Sequence, residues 1–208
     1  MPKVYTVEMC LRYLIKSTPI YDFFKLCELA PLEKIVLDCG AGGKYPPLTI
    51  FHDHGYETYG IEIGKKQLDR AQMFCRENGL ELNIFRADMR ILPFADKSFS
   101  FVFAYESIFF LTRDDIAAAM EEIERVLKPM GLCFVTFKSV EDSKRVIYSK
   151  KSVRAMLGSE GFTYHEYGEP DMYFNGFQIL QRNKRIKKTL VKGKKGKRAY
   201  IDYIARKK

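Results

Sequence analysis

Strand signals and helix signals alternate through the first two-thirds of the chain, and this alternation constrains the fold more than any other feature. Ile35-Val36-Leu37 is a short β-branched and apolar run, stopped by Asp38 and the glycines Gly40, Gly42 and Gly43. Gly55 announces a second strand over 58–62. A helix is expected over 65–77, with Leu68, Ala71 and Cys75 on one face and Asn78-Gly79 as its stop. Residues 82–87 read as a third strand. Residues 99–104, nearly all apolar, read as a fourth, covered on both faces. Asp114 or Asp115 can cap a helix running to about residue 128, where Ile116, Met120, Ile123 and Leu127 form one apolar stripe. Pro129-Met130-Gly131 ends that helix and 132–137 is a fifth strand. The repeated pattern predicts an α/β fold, a doubly wound and mostly parallel sheet with helices on both faces.

Outside this region the pattern loosens. Helical regions over 4–16 and 20–29 lead to Pro31. Beyond 137, a helix over 152–157, a strand over 162–167 and a last strand over 200–205 are expected. The residues from Arg182 to Lys208 carry 13 of the 35 Lys/Arg but only one of the 26 Asp/Glu, so the body is slightly acidic and the end basic. G-K-K-G at 193–196 reads as a turn, which would fold the basic segment into a hairpin on the sheet's edge. With no internal repeat or linker, the 208 residues read as one domain: a helical region 1–33, a core 34–137, and a C-terminal part 138–208 with a basic insertion at about 168–198.

No stretch approaches the ~18 consecutive apolar residues of a membrane span, and Arg12 interrupts the apolar run that a signal peptide would need. Cys10, Cys27, Cys39, Cys75 and Cys133 are scattered without a C-x-x-C pair, as reduced thiols in a cytoplasmic protein would be. No cluster of His, Cys and carboxylates has metal-ligand spacing, so no metal is expected.

A ligand of an open α/β sheet binds outside the carboxyl ends of its strands, where the strand order reverses. The residues just after strands one to four are therefore the informative ones. After the first comes D-C-G-A-G-G, Asp38 to Gly43, whose glycines let backbone approach a ligand closely. Glu62 follows the second, 24 residues past Asp38, where a carboxylate can accept from both hydroxyls of a ribose. Ala87-Asp88-Met89 follows the third; an Asp there can accept from an adenine amino group. Ala104-Tyr105-Glu106-Ser107 follows the fourth. Each has a plainer reading: an ordinary glycine turn, a helix-start carboxylate at Glu62, a turn residue at Asp88, a capping or solvent-facing carboxylate at Glu106. Their order and spacing together favour a nucleotide-like cofactor.

These motifs resemble those of the class I S-adenosylmethionine-dependent methyltransferases. V-L-D-C-G-A-G (36–42) is similar to the family's first motif, Y-G-I-E-I (59–63) to its second, and R-A-D-M-R-I-L-P-F (86–94) to its third. S-F-S-F-V-F-A-Y-E-S-I-F-F-L (98–111) resembles the fourth-strand region, and L-K-P-M-G-L (127–132) the turn into the fifth strand. The resemblance implies a seven-stranded sheet whose antiparallel last strand is inserted between the fifth and sixth. It implies S-adenosylmethionine as cofactor, S-adenosylhomocysteine as product, and 34–137 as the cofactor-binding core. Asp38, Gly40, Ala41 and Gly42 would surround the methionine part, Glu62 and Ile63 the ribose, Asp88 and Met89 the adenine, with Tyr105 beside the cofactor. The chain departs from the pattern at Lys44, where a third glycine is common, at Ser100, usually Asp, and at Phe109-Phe110, where many small-molecule enzymes carry paired His.

Methyl transfer is an in-line displacement, helped most by positioning the attacking atom and excluding water. A base is needed only if the acceptor arrives protonated. Glu106 is the first candidate for an acceptor contact and Tyr105 the second catalytic candidate; Tyr13 and His165 follow, while His52 and His54 read as surface residues. The acceptor itself is unidentified. The [D/N/S]-P-P-[Y/F/W] and Pro-Cys signatures of base methylation are absent, which favours a small molecule. The basic 182–198 segment keeps RNA or another anionic partner open, beside a merely solvated edge. A non-catalytic binding module with the same fold is the alternative from another class. A nicotinamide dehydrogenase ranks last, since Tyr45 stands where G-x-G-x-x-G needs its third glycine.

Overall fold

The computed structural model describes residues 18–142, 162–191 and 194–208. The helices expected over 4–16 and 152–157, and Tyr13, lie outside the described residues. So do Lys192 and Gly193; the rest of the expected G-K-K-G turn, residues 194–196, is paired strand.

The helices form where apolar side chains share one face. In α1 (Thr18–Leu29) the buried residues Ile20, Phe23, Phe24 and Cys27 fall at helical spacing. The strand β1 (Ile35–Cys39) leads through the glycine loop to α2 (Leu48–His52), and β2 (Glu57–Ile61) leads to α3 (Lys65–Asn78). Leu68, Ala71 and Phe74 carry α3's buried face, and Gly79 closes it at φ 59°. Then follow β3 (Ile84–Phe85), β4 (Phe99–Ala104), a 3-10 turn (Ile108–Phe110) and α4 (Arg113–Val126). The cap of α4 is Thr112, whose hydroxyl accepts from the Asp115 N–H at 3.2 Å, rather than Asp114 or Asp115. These two carboxylates occupy the first turn instead.

The helix α4 passes directly into β5 (Leu127–Ser139), and the Pro129-Met130-Gly131 segment lies in an excursion within that strand: Leu127 pairs with Phe99 and the next paired residue is Leu132, opposite Phe101. Met130 takes a left-handed φ of 65° there, and the register shifts between Phe99 and Phe101. The rest comprises β6 (Tyr164–His165), a 3-10 turn (Glu169–Tyr173), β7 (Phe177–Val191) and β8 (Lys194–Lys207). The sheet order is β3-β2-β1-β4-β5-β8-β7, with β6 joined to β5 at Lys138 and Ser139. β1 to β5 are parallel; β8 runs antiparallel between β5 and β7. The architecture is that of the expected doubly wound sheet, with an eighth, two-residue strand added. As the sequence leads one to expect, the basic stretch forms a hairpin at the sheet's edge: it supplies β7 and the start of β8.

Two apolar layers cover the faces. Ile116, Met120 and Ile123 of α4 pack with Leu37, Val102, Phe137 and Tyr203. On the other side Ile20 and Phe23 of α1, Phe51 of α2 and Phe74 of α3 meet Phe101, Phe103 and Phe134. Phe23 stacks on Phe134 at 5.7 Å and Phe51 on Phe103 at 5.4 Å. Each such side chain contributes roughly 1.5–3 kcal/mol by leaving water. At the end of β5 the nearly buried Lys138 ammonium donates to Asp142 at 2.8 Å and lies over the Phe109, Phe162 and Tyr200 rings. Asp142 also accepts from the Ala199 N–H, tying the end of β5 to β8. Among the described residues no helix is long and apolar enough to cross a membrane.

Candidate active site

The strand order reverses between β1 and β4, and the loops leaving β1, β2, β3 and β4 enclose a cavity of about 500 Å³ beyond their carboxyl ends. The glycine loop forms one wall. Gly40 (φ 115°) and Ala41 both donate to the Ile61 carbonyl at 2.9 Å. A Cβ on Gly40 would stand 2.4 Å from that of Ser107, whose hydroxyl donates to the Cys39 carbonyl at 2.6 Å. A Cβ on Gly42 would stand 2.3 Å from Glu62 Oε2. Side chains at these two positions would collide with Ser107 and Glu62, so the loop's composition follows from how closely those residues approach it.

Glu62 is half-buried. Its Oε1 accepts from the Gly64 N–H at 2.7 Å, and burial raises its carboxyl above the ordinary range. Asp38 is 2% exposed, and its Oδ2 has no hydrogen-bond partner among the described residues. Burial first, and then the nearby Glu62 charge, push its carboxyl well up. An orphaned buried carboxylate oxygen calls for a donor, and a ligand's ammonium group would supply one.

Asp88 is more heavily engaged than its sequence position suggests. The Arg90 guanidinium donates to both of its oxygens, closest at 2.6 Å, and the Arg90 N–H adds a bond at 2.9 Å. Arg90 also donates to Asp115 at 3.0 Å, bridging the loop after β3 to the first turn of α4. This bonding holds Asp88 below the usual carboxylate range.

Beyond β4, Tyr105 stacks on Phe134 at 6.0 Å with the Arg185 guanidinium 5.6 Å from its ring. Burial, then the Glu106 charge, drive its phenol up, so Tyr105 stays neutral at physiological pH. Glu106 adopts a left-handed φ of 53°, uncommon outside glycine. Its Oε1 lies 3.2 Å from Arg185 Nη1 and 3.8 Å from Lys187 Nζ, and its Oε2 accepts from the Tyr200 hydroxyl at 3.4 Å. Arg185 in turn donates to Asp202 at 2.6 and 3.0 Å, and Thr136 donates to the same carboxylate at 2.9 Å. These contacts hold Glu106 in the cavity wall, tied to β7 and β8.

Of the sequence-stated positions, Gly40, Gly42, Glu62, Ile63, Asp88, Met89, Tyr105 and Glu106 line the cavity; Asp38 and Ala41 lie buried behind the loop. His165 does not reach it: it is 0% exposed on β6, against Phe137 and Tyr173. His54 packs against the Phe24 ring. Gln67, Arg90, Leu111, Thr112 and Asp115 also line the cavity and were not singled out as ligand contacts. T-R-D-D at 112–115 is a helix-capping pattern that could have placed the last two; nothing in the sequence marks Arg90.

Residues 37–135 match a family model described as a methyltransferase domain. The chain is 33% identical over 99 residues to a sterol 24-C-methyltransferase of Gibberella zeae, covering 47% of this chain and 26% of the relative. It is 33% identical over 96 residues to an O-methyltransferase of Aspergillus sclerotiorum, covering 45% and 36%. The matched stretch thus spans about a third or less of those relatives' length. A solved S-adenosylmethionine-dependent methyltransferase of Methanosarcina mazei has the same fold, with a TM-score of 0.65 at 17% identity, covering 88% of this chain and 96% of that one. Membership implies S-adenosylmethionine as the cofactor, and the glycine cradle and the orphaned Asp38 oxygen fit it. The motif order, the reversed sheet and the family match together make residues 37–135, just under half of this chain, a methyltransferase domain of the class I S-adenosylmethionine-dependent type.

Proposed function

We propose that the chain methylates a small-molecule acceptor seated against Tyr105, Glu106, Phe110 and Leu111. The observation that carries this reading is the convergence of Gly40, Gly42, Glu62, Asp88, Met89 and Tyr105 on one enclosed cavity. The relatives named as sterol and O-methyltransferases support a small acceptor. Free thiols at the four described cysteines suit a cytoplasmic setting.

In this mechanism the glycine loop receives the methionine part of the cofactor, and Asp38 Oδ2 takes a hydrogen bond from its ammonium. Glu62 keeps one oxygen for the ribose hydroxyls while Gly64 holds the other. Asp88 and Met89 border the adenine. The cofactor supplies a methyl group on a sulfonium, already activated for displacement, and leaves as S-adenosylhomocysteine. Tyr105, Glu106 and Phe110 position the acceptor's attacking atom and exclude water. The acceptor then attacks as a neutral or already deprotonated nucleophile.

Isothermal titration with S-adenosylmethionine and S-adenosylhomocysteine tests this. Micromolar binding to the wild type, lost in Glu62→Ala and Asp88→Ala, is expected. A well-folded wild type that binds neither ligand would overturn the reading.

A further inference from the structure

The turn after β3 is stitched to α4 along its length. The Ile91 N–H donates to the Asp88 carbonyl at 3.1 Å, closing the turn on itself. Glu122 on α4 accepts from the Leu92 N–H at 2.6 Å, and Arg125 donates to the Leu92 and Phe94 carbonyls at 3.0 and 2.8 Å. Arg90 is the member of this series that lies at the cavity. Its Nη1 reaches Asp115 at 3.0 Å, in a first turn that Thr112 caps.

The other edge of the guanidinium takes up the accepting capacity of Asp88. Oδ1 receives the Arg90 backbone N–H at 2.9 Å and Nε at 3.0 Å. Oδ2 receives Nη2 at 2.6 Å and the shared Nε at 3.1 Å. A carboxylate has about four lone-pair sites, and here each oxygen already meets two donors. An incoming amino group would have to displace a guanidinium whose paired N–H groups fit the carboxylate in a fixed fork. Nor can that guanidinium swing aside at little cost. It is anchored at Asp115 and carried on a turn fixed at Leu92 and Phe94, so releasing Asp88 means giving up contacts at both ends. In place of an acceptor, Arg90 offers only further donors, which an amino group cannot use.

We infer that, with the adenine at Asp88 and Met89 as the methyltransferase reading has it, Arg90 is a positioning residue that withdraws Asp88 from adenine recognition, so that the cofactor's exocyclic amino group goes unread there and its removal is tolerated. Calorimetric titration of the full chain with S-adenosylhomocysteine and with its desamino analogue tests this. In the analogue a hydrogen replaces the amino group and the ring nitrogens are unchanged. The wild type should hold the two ligands within about fivefold of each other, since no acceptor is left unpaired when the amino group goes. In Arg90→Ala the freed carboxylate can accept from the amino group. The preference for S-adenosylhomocysteine should then grow by about tenfold or more, as one charge-assisted hydrogen bond implies. A merely structural Arg90 would weaken both ligands alike and leave their ratio unmoved.

A larger preference in the wild type, or a ratio that Arg90→Ala does not move, overturns the proposal; if Arg90→Ala does not fold, the wild-type ratio still decides. A second measurement needs no ligand. Followed by carbon NMR in the ligand-free chain, the Asp88 carboxyl should titrate below the usual aspartate range in the wild type and move up in Arg90→Ala, because the Arg90 hydrogen bonds are what hold it down. An Asp88 that titrates in the usual range overturns the proposal. A wild type whose Asp88 titrates low but which binds neither ligand counts against the methyltransferase reading alone.

Discussion

Acid should unfold this protein partly through one histidine. His165 is wholly buried on β6, packed edge-on to the Phe137 and Tyr173 rings, with Nδ1 lacking a partner among the described residues. Burial, and then the nearby Arg113 charge, lower its pKa to about 4, while Glu169 opposes the shift weakly. The folded protein thus refuses a proton that the unfolded chain accepts near pH 6.5. His165 costs nothing above that pH, and stability falls as pH drops from about 6.5 towards 4. A shift of this size is worth roughly 3 kcal/mol at the acid end, a large share of a typical domain's stability. Urea unfolding of wild type and His165→Phe at several values between pH 7.5 and 4.5 isolates the effect. Phe keeps a ring in the pocket, and the carboxylates lowered by ion pairs titrate in both proteins. The gap between the two stability curves should open by about 3 kcal/mol on acidification. Parallel curves would refute the argument.

Two further perturbations test the site. Gly42→Ala places a Cβ where Glu62 Oε2 now lies; displacing that carboxylate should weaken S-adenosylmethionine binding about a hundredfold or more, the worth of one to two charge-assisted hydrogen bonds, as calorimetry would read. Arg185→Ala strips the buried Asp202 of its cation, so denaturant unfolding should show a loss of about 3–5 kcal/mol; a loss under 1 kcal/mol would mean that water replaces the guanidinium.

The local devices were legible in the sequence. The apolar stripes of α3 and α4, the stop at Gly79, and the span of β4 all follow from short-range chemistry, and with them the parallel sheet. What escaped depends on contacts distant in sequence. Glu106 reads as the first acceptor contact because it follows β4, yet it is held by Arg185, 79 residues on. Asp88 reads as an open acceptor, yet Arg90 fills its lone pairs. Pro129-Met130-Gly131 carries the composition of a turn and bulges out with a left-handed Met130, but the Leu127↔Phe99 pair before it starts the strand earlier than the turn suggests. The expected third strand shrinks to Ile84–Phe85, because only two residues find partners on β2. The basic hairpin on the sheet's edge, by contrast, was legible, and stands as β7 and the start of β8.

The direct passage of α4 into β5 makes chain length itself a structural constant. No loop lies between Val126 and the Leu127↔Phe99 pair, so one residue added or removed ahead of that pair, upstream of the 128–131 excursion, would rotate the helix by about 100° relative to the strand. Ile116, Met120 and Ile123 would leave their layer together, and Thr112 and Asp115 would swing away from the cavity. Substitutions along α4 can be absorbed one side chain at a time, whereas a change of length at its end is felt along the whole helix, through to the far wall of the active site.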